Sequence, residues 1–348
     1  MSLSALDEQF GHQLVAPRAV TVHMEPTWAE RSYFLLHTDR GLVLNAGRQL
    51  HPHAGRRSAF SAVSTGRHQI GCRFAERLEP GDDPDVPVVG RLRVEAVRPL
   101  QELRLVLDAP GGALEYDLTF EARFAPVLSQ PNRIEQDGHV VTDYVNFFQS
   151  GRYSGVLRVD GEEHRVDRRA GFRDRGWGLR KHEGAPRRGL VVFVGCELDD
   201  SALYLLLYET ASGRRALTNG WVVDASGAAE IVTEAAHSLV FAGGHLAGGT
   251  LAVSVASGGT HEVEIRPGHH LLLAATGYRR EQPGGAEPPE RLDLGDPAVQ
   301  AVHAGQTDYG CDFVVDGRPG HGYVEVGLGE HARYRPPAGG SGGERCTR

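Results

Sequence analysis

An alternating stretch in the first half of the chain limits the fold most strongly. From Leu114 to Phe124 the even-numbered residues are apolar and most odd-numbered residues are polar. Alternation with a period of two over this length predicts a long β-strand with one buried face. Shorter stretches of the same kind lie on both sides, and a helical period of 3.6 residues is not sustained anywhere. The sequence therefore predicts an all-β fold.

The second half of the chain shows a regular series of strands and turns. A hairpin is expected around Asp160–Gly161, because Asp-Gly between alternating segments favours a two-residue turn. Strands then recur about every ten residues from Val191 to Tyr278, with Ala-Ser-Gly or Gly-Gly turns. A last strand pair flanks Asp316–Gly317. This pattern predicts a closed or nearly closed antiparallel sheet.

Residues 126–139 form the best candidate for a domain boundary, because they are polar, contain prolines and show no period. We expect an N-terminal β domain over residues 1–135 and a C-terminal β domain over 140–335. Each is an antiparallel barrel or sandwich, and the two pack together. Residues 336–348 are expected to be a disordered tail.

Charge and cysteine content narrow the function class. The formal net charge is −8 and no block of Lys and Arg dominates, which argues against a nucleic-acid partner. Four widely spaced cysteines fit a reducing compartment. The N-terminus lacks a signal-peptide pattern, and no apolar run reaches about 18 residues, so we expect no stable membrane insertion. The expected location is the cytoplasm, and a homodimer is left open.

The central stretch Ala170–Arg180 is the first candidate site. It places Arg173, Asp174, Arg175 and Trp177 close together. A carboxyl group buried beside an aromatic wall has a raised pKa and can act as a general acid, whereas nearby arginines favour its ionised form. The alternative is an ion-paired structural carboxylate. Strict alternation also places Asp174 and Trp177 on opposite faces unless a bulge intervenes.

The later strands offer further candidates. Glu325 and Tyr323 share one face of the final strand, and this face points either into a barrel lumen or to solvent. Tyr204 and Trp221 lie in apolar strands, where they suit a ligand pocket or an ordinary core.

Neither a metal nor a nucleotide cofactor is expected. The close histidine pairs, His51 with His53 and His269 with His270, have no carboxylate or third histidine at a helpful spacing. The glycine-rich segments are turns, and no phosphate-binding or dinucleotide fingerprint is present.

The segment QSGRYSGVLRVDGEEHRVD, together with AGFRDRGWGLR, resembles a bacterial family of uncharacterised two-domain proteins with an Arg-Asp-His-Ser-Trp-Gly motif. That family is similar to the two-domain lipocalin-like group that contains carotenoid 1,2-hydratases. Four positions match the motif: Arg173, Asp174, Trp177 and Gly178. Arg175 stands where the family has His. The resemblance implies two lipocalin-like antiparallel β domains.

The resemblance also implies a cofactor-independent enzyme that hydrates, cyclises or isomerises an apolar isoprenoid- or polyketide-like molecule. Asp174 or Glu325 would be the acid, with Arg175 as a third catalytic candidate. The implied substrate-binding residues are Trp177, Arg173, Tyr153, Tyr204, Trp221 and Tyr323. A non-catalytic carrier of an apolar molecule and a pericyclase are the alternatives. Arg175 could instead bind an anionic group of a substrate.

Overall fold

The structure is a computed structural model. It describes residues 3–11, 25–38, 41–79, 81–109, 111–136, 138–180, 189–276, 285–286, 289–303 and 305–335. The expected disordered tail, residues 336–348, lies outside the described residues.

The all-β prediction is confirmed, because strands dominate the described residues. The first half of the chain forms an antiparallel sheet. Its twelve strands in this part of the chain are β1 (Trp28–His37), β2 (Val43–His51), β3 (Arg56–Ser64), β4 (His68–Arg77), β5 (Val88–Val89), β6 (Leu92–Arg98), β7 (Glu102–Leu107), β8 (Leu114–Ala122), β9 (Val127–Leu128), β10 (Asn132–Gln136), β11 (His139–Val159) and β12 (Glu162–Arg180). The strand predicted from the alternation after Leu114 is β8.

The second half forms a closed eight-stranded barrel, as its regular strands and turns predict. The barrel begins with β13 (Leu190–Glu197), β14 (Ser201–Glu209), β15 (Arg215–Asp224), β16 (Ala229–Ala242), β17 (His245–Val255) and β18 (Thr260–Leu272). Two short strands, β19 (Gly285–Ala286) and β20 (Glu290–Asp293), then return to pair with β4 of the first sheet. The last two strands, β21 (Thr307–Val315) and β22 (Arg318–Leu328), complete the barrel, and β22 pairs with β13.

One short helix, α1 (Pro297–His303), follows β20. Asp296 precedes it and accepts a 2.8 Å hydrogen bond from the backbone N–H of Ala298. Proline suits the first helical position, since its missing N–H is not needed there. Seven residues are too few to show a helical period. The described residues contain no helix that is long and apolar enough to span a membrane.

The long hairpin of β11 and β12 belongs to the first sheet. β11 pairs with β8, and β12 pairs with β1. The change from sheet to barrel therefore lies between Arg180 and Leu190, later in the chain than the boundary expected near residues 135–140. The polar segment at that boundary carries only the short strands β9 and β10, which pair with β11.

The two Asp-Gly turns have the geometry that the sequence predicts. Asp160 and Gly161 have φ angles of 51° and 81°, and Asp316 and Gly317 have φ angles of 51° and 79°. Two consecutive left-handed residues define the type I′ turn, which matches the twist of the adjoining strands. Both hairpins are confirmed.

Three buried clusters organise the packing. The first sheet and the barrel each have an apolar core of their own, and a third, largely aromatic cluster lies between the two. β1 contributes to two of them, since Phe34 and Leu36 face the sheet's own core whereas Tyr33 and Leu35 face the barrel. Both faces of the first sheet are therefore buried around β1 and β12.

A carboxylate at the end of β14 anchors the C-terminal residues to the barrel. Glu209 accepts hydrogen bonds from His237 at 3.0 Å, His331 at 3.1 Å, Arg215 at 3.0 Å and Arg333 at 3.2 Å. Burial alone raises the pKa of Glu209, but the hydrogen bonds and charges of Arg215 and His237 outweigh it and lower that pKa to about 2.

We predict that Glu209→Gln lowers the free energy of unfolding by about 2 kcal/mol at pH 7, because it removes the carboxylate that accepts hydrogen bonds from two partly exposed arginines and two buried histidines. The folded-state pKa lies below the ordinary value of 4.5, so this stabilisation is present above pH 4.5 and is lost as the pH falls towards 2. Urea unfolding of both proteins across this range measures the difference. Glu264→Gln is the control variant, since the Glu264 carboxylate is exposed and pairs with the exposed Arg266, and its loss should have little effect.

Candidate active site at the sheet–barrel interface

The hairpin β11–β12 packs against the outer wall of the barrel through aromatic side chains. The ring centroids of Phe148 and Phe193 are 4.5 Å apart, and Tyr323 lies 5.2 Å from Phe172 and 5.3 Å from Phe193. Gly195 of β13 permits this packing, since a Cβ atom there would lie 2.6 Å from the Tyr323 ring. The interface is thus a buried aromatic layer.

Three carboxyl groups lie at one edge of this layer. Asp174 on β12 is the cross-strand partner of Tyr33 on β1, and Asp308 on β21 is the cross-strand partner of Glu325 on β22. The Tyr33 hydroxyl donates a hydrogen bond to Asp308 Oδ2 and so joins the sheet to the barrel. Tyr323 lies within electrostatic range of all three carboxyl groups. We call these five residues the acid cluster.

Amide side chains hold the cluster in place. Asn45 Nδ2 donates to Tyr33 Oη at 3.1 Å, and Asn146 Nδ2 donates to Asp174 Oδ1 at 3.1 Å. Gln306 Nε2 donates to Glu325 Oε1. Because each of these amides fixes one oxygen, the carboxyl and hydroxyl groups are oriented before any substrate binds.

Asp308 is the most unusual group of the cluster. Its exposed fraction is 0%, and its Oδ1 atom has no hydrogen-bond partner among the described residues. Burial and the neighbouring charge of Glu325 raise its pKa well above the ordinary range, against smaller opposite effects of the hydrogen bonds from Tyr33 and Asn45. A carboxyl group in such a setting keeps its proton near neutral pH.

The two tyrosines of the cluster also remain protonated. Burial, followed by the charge of Asp308, raises the pKa of Tyr33 well above its ordinary value. Burial and then the charge of Asp174 do the same for Tyr323. Both hydroxyl groups are therefore hydrogen-bond donors beside the carboxyl groups.

Arg173 and Arg175 lie on the opposite face of β12 from Asp174, and so does Trp177. Arg175 forms a buried 2.6 Å ion pair with Glu30 and lies 5.6 Å from the Trp177 ring. Arg173 forms a buried 2.6 Å ion pair with Glu8. The expectation that these three residues share a site with Asp174 is corrected here, because side chains alternate along the unbroken strand.

The remaining candidate substrate-binding residues lie in two different buried clusters. Tyr153 lies in the core of the first sheet, away from the acid cluster. Tyr204, Trp221 and Tyr323 lie in the aromatic layer, and Tyr204 Oη accepts a 2.7 Å hydrogen bond from the Ser150 N–H.

Glu325 points neither into the barrel lumen nor fully to solvent. It is partly buried on the outer wall of the barrel, which the first sheet covers. The residues on either side of it, Val324 and Val326, belong to the apolar core inside the barrel. Neither of the two positions left open for Glu325, the barrel lumen and the solvent, describes this arrangement, and the polar groups lie on the outer side of the barrel wall.

The sequence interpretation missed five residues of this site: Tyr33, Asn45, Asn146, Gln306 and Asp308. The sequence did contain a signal that pairs Asp308 with Glu325. Asp308 lies eight residues before the first residue of the Asp316–Gly317 turn, and Glu325 lies eight residues after its second residue. Residues equally distant from a two-residue turn face each other in a hairpin. Within the described part of the chain, no group of three His, Cys, Asp or Glu side chains is arranged to hold a metal ion.

Solved structures with a similar fold are known. A Nitrosomonas europaea protein described as an AttH candidate is 17% identical, covers 88% of this chain and 93% of its own, and has a TM-score of 0.57. Kievitone hydratase from Nectria haematococca is 14% identical, with coverages of 86% and 88% and a TM-score of 0.51. At these identities the likeness concerns the fold alone, and it confirms the expected two-domain lipocalin-like architecture.

Comparison with curated proteins finds no match. The sequence pattern of one protein family, described as "Family of unknown function (DUF8625)", matches residues 3–285, which is most of the chain. The chain belongs to this family.

Proposed function

We propose that this protein is a cofactor-independent enzyme that uses a protonated carboxylic acid to hydrate or cyclise an apolar, isoprenoid- or polyketide-like substrate. The observation that carries the proposal is Asp308, a fully buried acid beside a second carboxyl group and a buried aromatic layer. The shared fold adds support, since kievitone hydratase is by name a hydratase built on it. The site rather than the fold carries the argument.

The first step is protonation of a carbon–carbon double bond. Asp308 Oδ1 donates its proton to one alkene carbon, a C–H bond forms, and the other carbon becomes a carbocation. The faces of Phe172, Phe193 and Tyr323 stabilise this cation, and such cation–π contacts strengthen when water is excluded. The carboxylates of Asp174 and Glu325 add electrostatic stabilisation.

The second step ends the reaction and restores the acid. In hydration, a water oxygen bonds to the cationic carbon and loses its proton to the Glu325 carboxylate. Transfer of that proton to the adjacent Asp308 regenerates the starting state, so the net reaction adds water to the double bond. In cyclisation, a second double bond of the substrate attacks instead, and a C–H proton is lost to the same carboxylate.

The reaction is proposed to take place in the cytoplasm. Cys72, Cys196 and Cys311 are buried and carry free thiols. Unpaired cysteines suit a reducing compartment.

A carrier of apolar molecules is the second candidate, because the aromatic layer would bind such a molecule without acid chemistry. The two functions differ in what they require of Asp308. A carrier still binds its ligand when Asp308 has no proton to donate, whereas the enzyme then loses its activity.

We predict that Asp308→Asn lowers product formation about 10²- to 10⁴-fold, the usual contribution of a general acid. The assay incubates the protein with a panel of terpenoid and polyene alkenes in D₂O and detects deuterium on carbon by mass spectrometry. Asp312→Asn is the matched control, since Asp312 lies on the same strand but is exposed and pairs with His321. Equal deuteration by wild-type protein and Asp308→Asn would contradict the proposal and favour the carrier.

A pH profile tests the coupling between the two carboxyl groups. Activity requires a protonated Asp308, so it falls as the pH rises through the pKa of that group. We predict that Glu325→Gln lowers the rate, because it removes the proton acceptor of the second step. It also shifts the fall of the remaining activity to lower pH, because removing the neighbouring negative charge lowers the pKa of Asp308. An unchanged midpoint would show that the charge of Glu325 does not act on the proton donor.

A further inference from the structure

A second candidate site lies on the surface of the first sheet, apart from the acid cluster. It is a depression of about 430 Å³ that we call the arginine depression. Its lining residues are Arg98, Gln101, Glu121, Ala122, Arg123, Arg152 and Arg168. Four guanidinium groups and one carboxylate line it, which makes it a basic site on a protein of net charge −8.

Two of the arginines, Arg123 and Arg152, form ion pairs with one buried glutamate. Glu197, whose side chain is 2% exposed, binds Arg123 at 2.6 Å and also pairs with Arg152. Arg123 Nη1 donates to the carbonyl oxygen of Leu198 at 3.1 Å as well. Because a single carboxylate faces two guanidinium groups, this part of the depression keeps a positive charge in a fixed position.

The other two arginines are held loosely. Arg98 pairs with Glu102 at 2.8 Å and Arg168 pairs with Glu121 at 3.2 Å, and both arginine side chains are more than half exposed. Exposed ion pairs of this kind contribute little free energy, so an anionic ligand can replace the carboxylate partner at small cost. Gln101 Oε1 accepts a hydrogen bond from Arg98, which leaves its amide NH₂ as a further donor.

Buried contacts fix the turn that carries Arg98 and Gln101. Leu100 has a φ angle of 62°, which is unusual for a residue with a side chain. Its N–H donates to Glu8 Oε1 at 2.7 Å, and its carbonyl oxygen accepts from Gln149 Nε2 at 2.9 Å.

Arg173 of the central stretch binds both of the groups that hold this turn. Its Nη1 donates to Glu8 at 2.8 Å and its Nε donates to Gln149 at 2.7 Å. Arg173 is thus a positioning residue for the depression rather than a member of the acid cluster. Strained backbone that the surrounding structure enforces is often found at ligand sites.

We propose that the arginine depression binds the phosphate group of a small phosphorylated molecule. A tetrahedral phosphate offers several oxygens to guanidinium groups that arrive from different strands, whereas a carboxylate offers only two. The volume lies in the range of pockets for small organic ligands, which leaves room for an organic part beside the phosphate.

Isothermal titration calorimetry of the full chain with phenyl phosphate tests the proposal. We expect saturable binding with one site per chain. In the double variant Arg98→Gln/Arg168→Gln, the dissociation constant should rise about tenfold or more, as loss of charge-assisted hydrogen bonds predicts. Both residues are exposed, so the fold is expected to survive, and circular dichroism verifies this.

Arg104→Gln is the matched control, since Arg104 is an exposed arginine of the same sheet that pairs with Asp117 outside the depression. Its dissociation constant should stay within twofold of the wild-type value. Absence of saturable binding, or equal weakening by Arg104→Gln and the double variant, would overturn the site.

A parallel titration with inorganic phosphate separates two sources of the anion. Tighter binding of phenyl phosphate supports a phosphorylated organic ligand, whereas equal or weaker binding overturns that part and identifies the free ion.

Discussion

The hydrogen bond between Tyr33 and Asp308 joins the two halves of the molecule, and the candidate chemistry depends on it. Tyr33 belongs to the first sheet and Asp308 to the barrel, so neither half contains the site alone. Packing the two against each other removes Asp308 from water, and the hairpin of β21 and β22 within the barrel places Glu325 beside it. Burial disfavours the ionised form of a carboxyl group, and so does a second negative charge nearby. Assembly of the interface therefore creates the acid.

The first sheet can take part in this interface because both of its faces are buried around β1 and β12. On β12, alternation sends Asp174 towards the barrel and the two arginines towards the sheet's own core, where Glu30 and Glu8 neutralise them. The charged central stretch thus serves two purposes. One face contributes a carboxyl group to the acid cluster, and the other face stabilises the N-terminal segment and the turn beside the arginine depression.

Most of the architecture was predictable from the sequence because it depends on local patterns. Period-two alternation and Asp-Gly turns gave the strands and both hairpins, and hairpin counting would also have paired Asp308 with Glu325. The partner of β12 was not predictable, since pairing between β1 and β12 joins residues more than a hundred positions apart. For the same reason the contact between Tyr33 and Asp308 has no signature in either segment. Alternation did indicate that Asp174 and Trp177 lie on opposite faces, and the structure follows it.

The protonation state of Asp308 at neutral pH decides whether this group can act as the acid. Fourier-transform infrared difference spectroscopy of wild-type protein against Asp308→Asn at pH 7 resolves the carbonyl stretch of a protonated carboxylic acid from the bands of a carboxylate. We expect a protonated-acid band in the wild type that is missing in the variant and that survives in the control Asp312→Asn. A carboxylate band assigned to Asp308 at pH 7 would contradict the account, because an ionised group has no proton to give to an alkene.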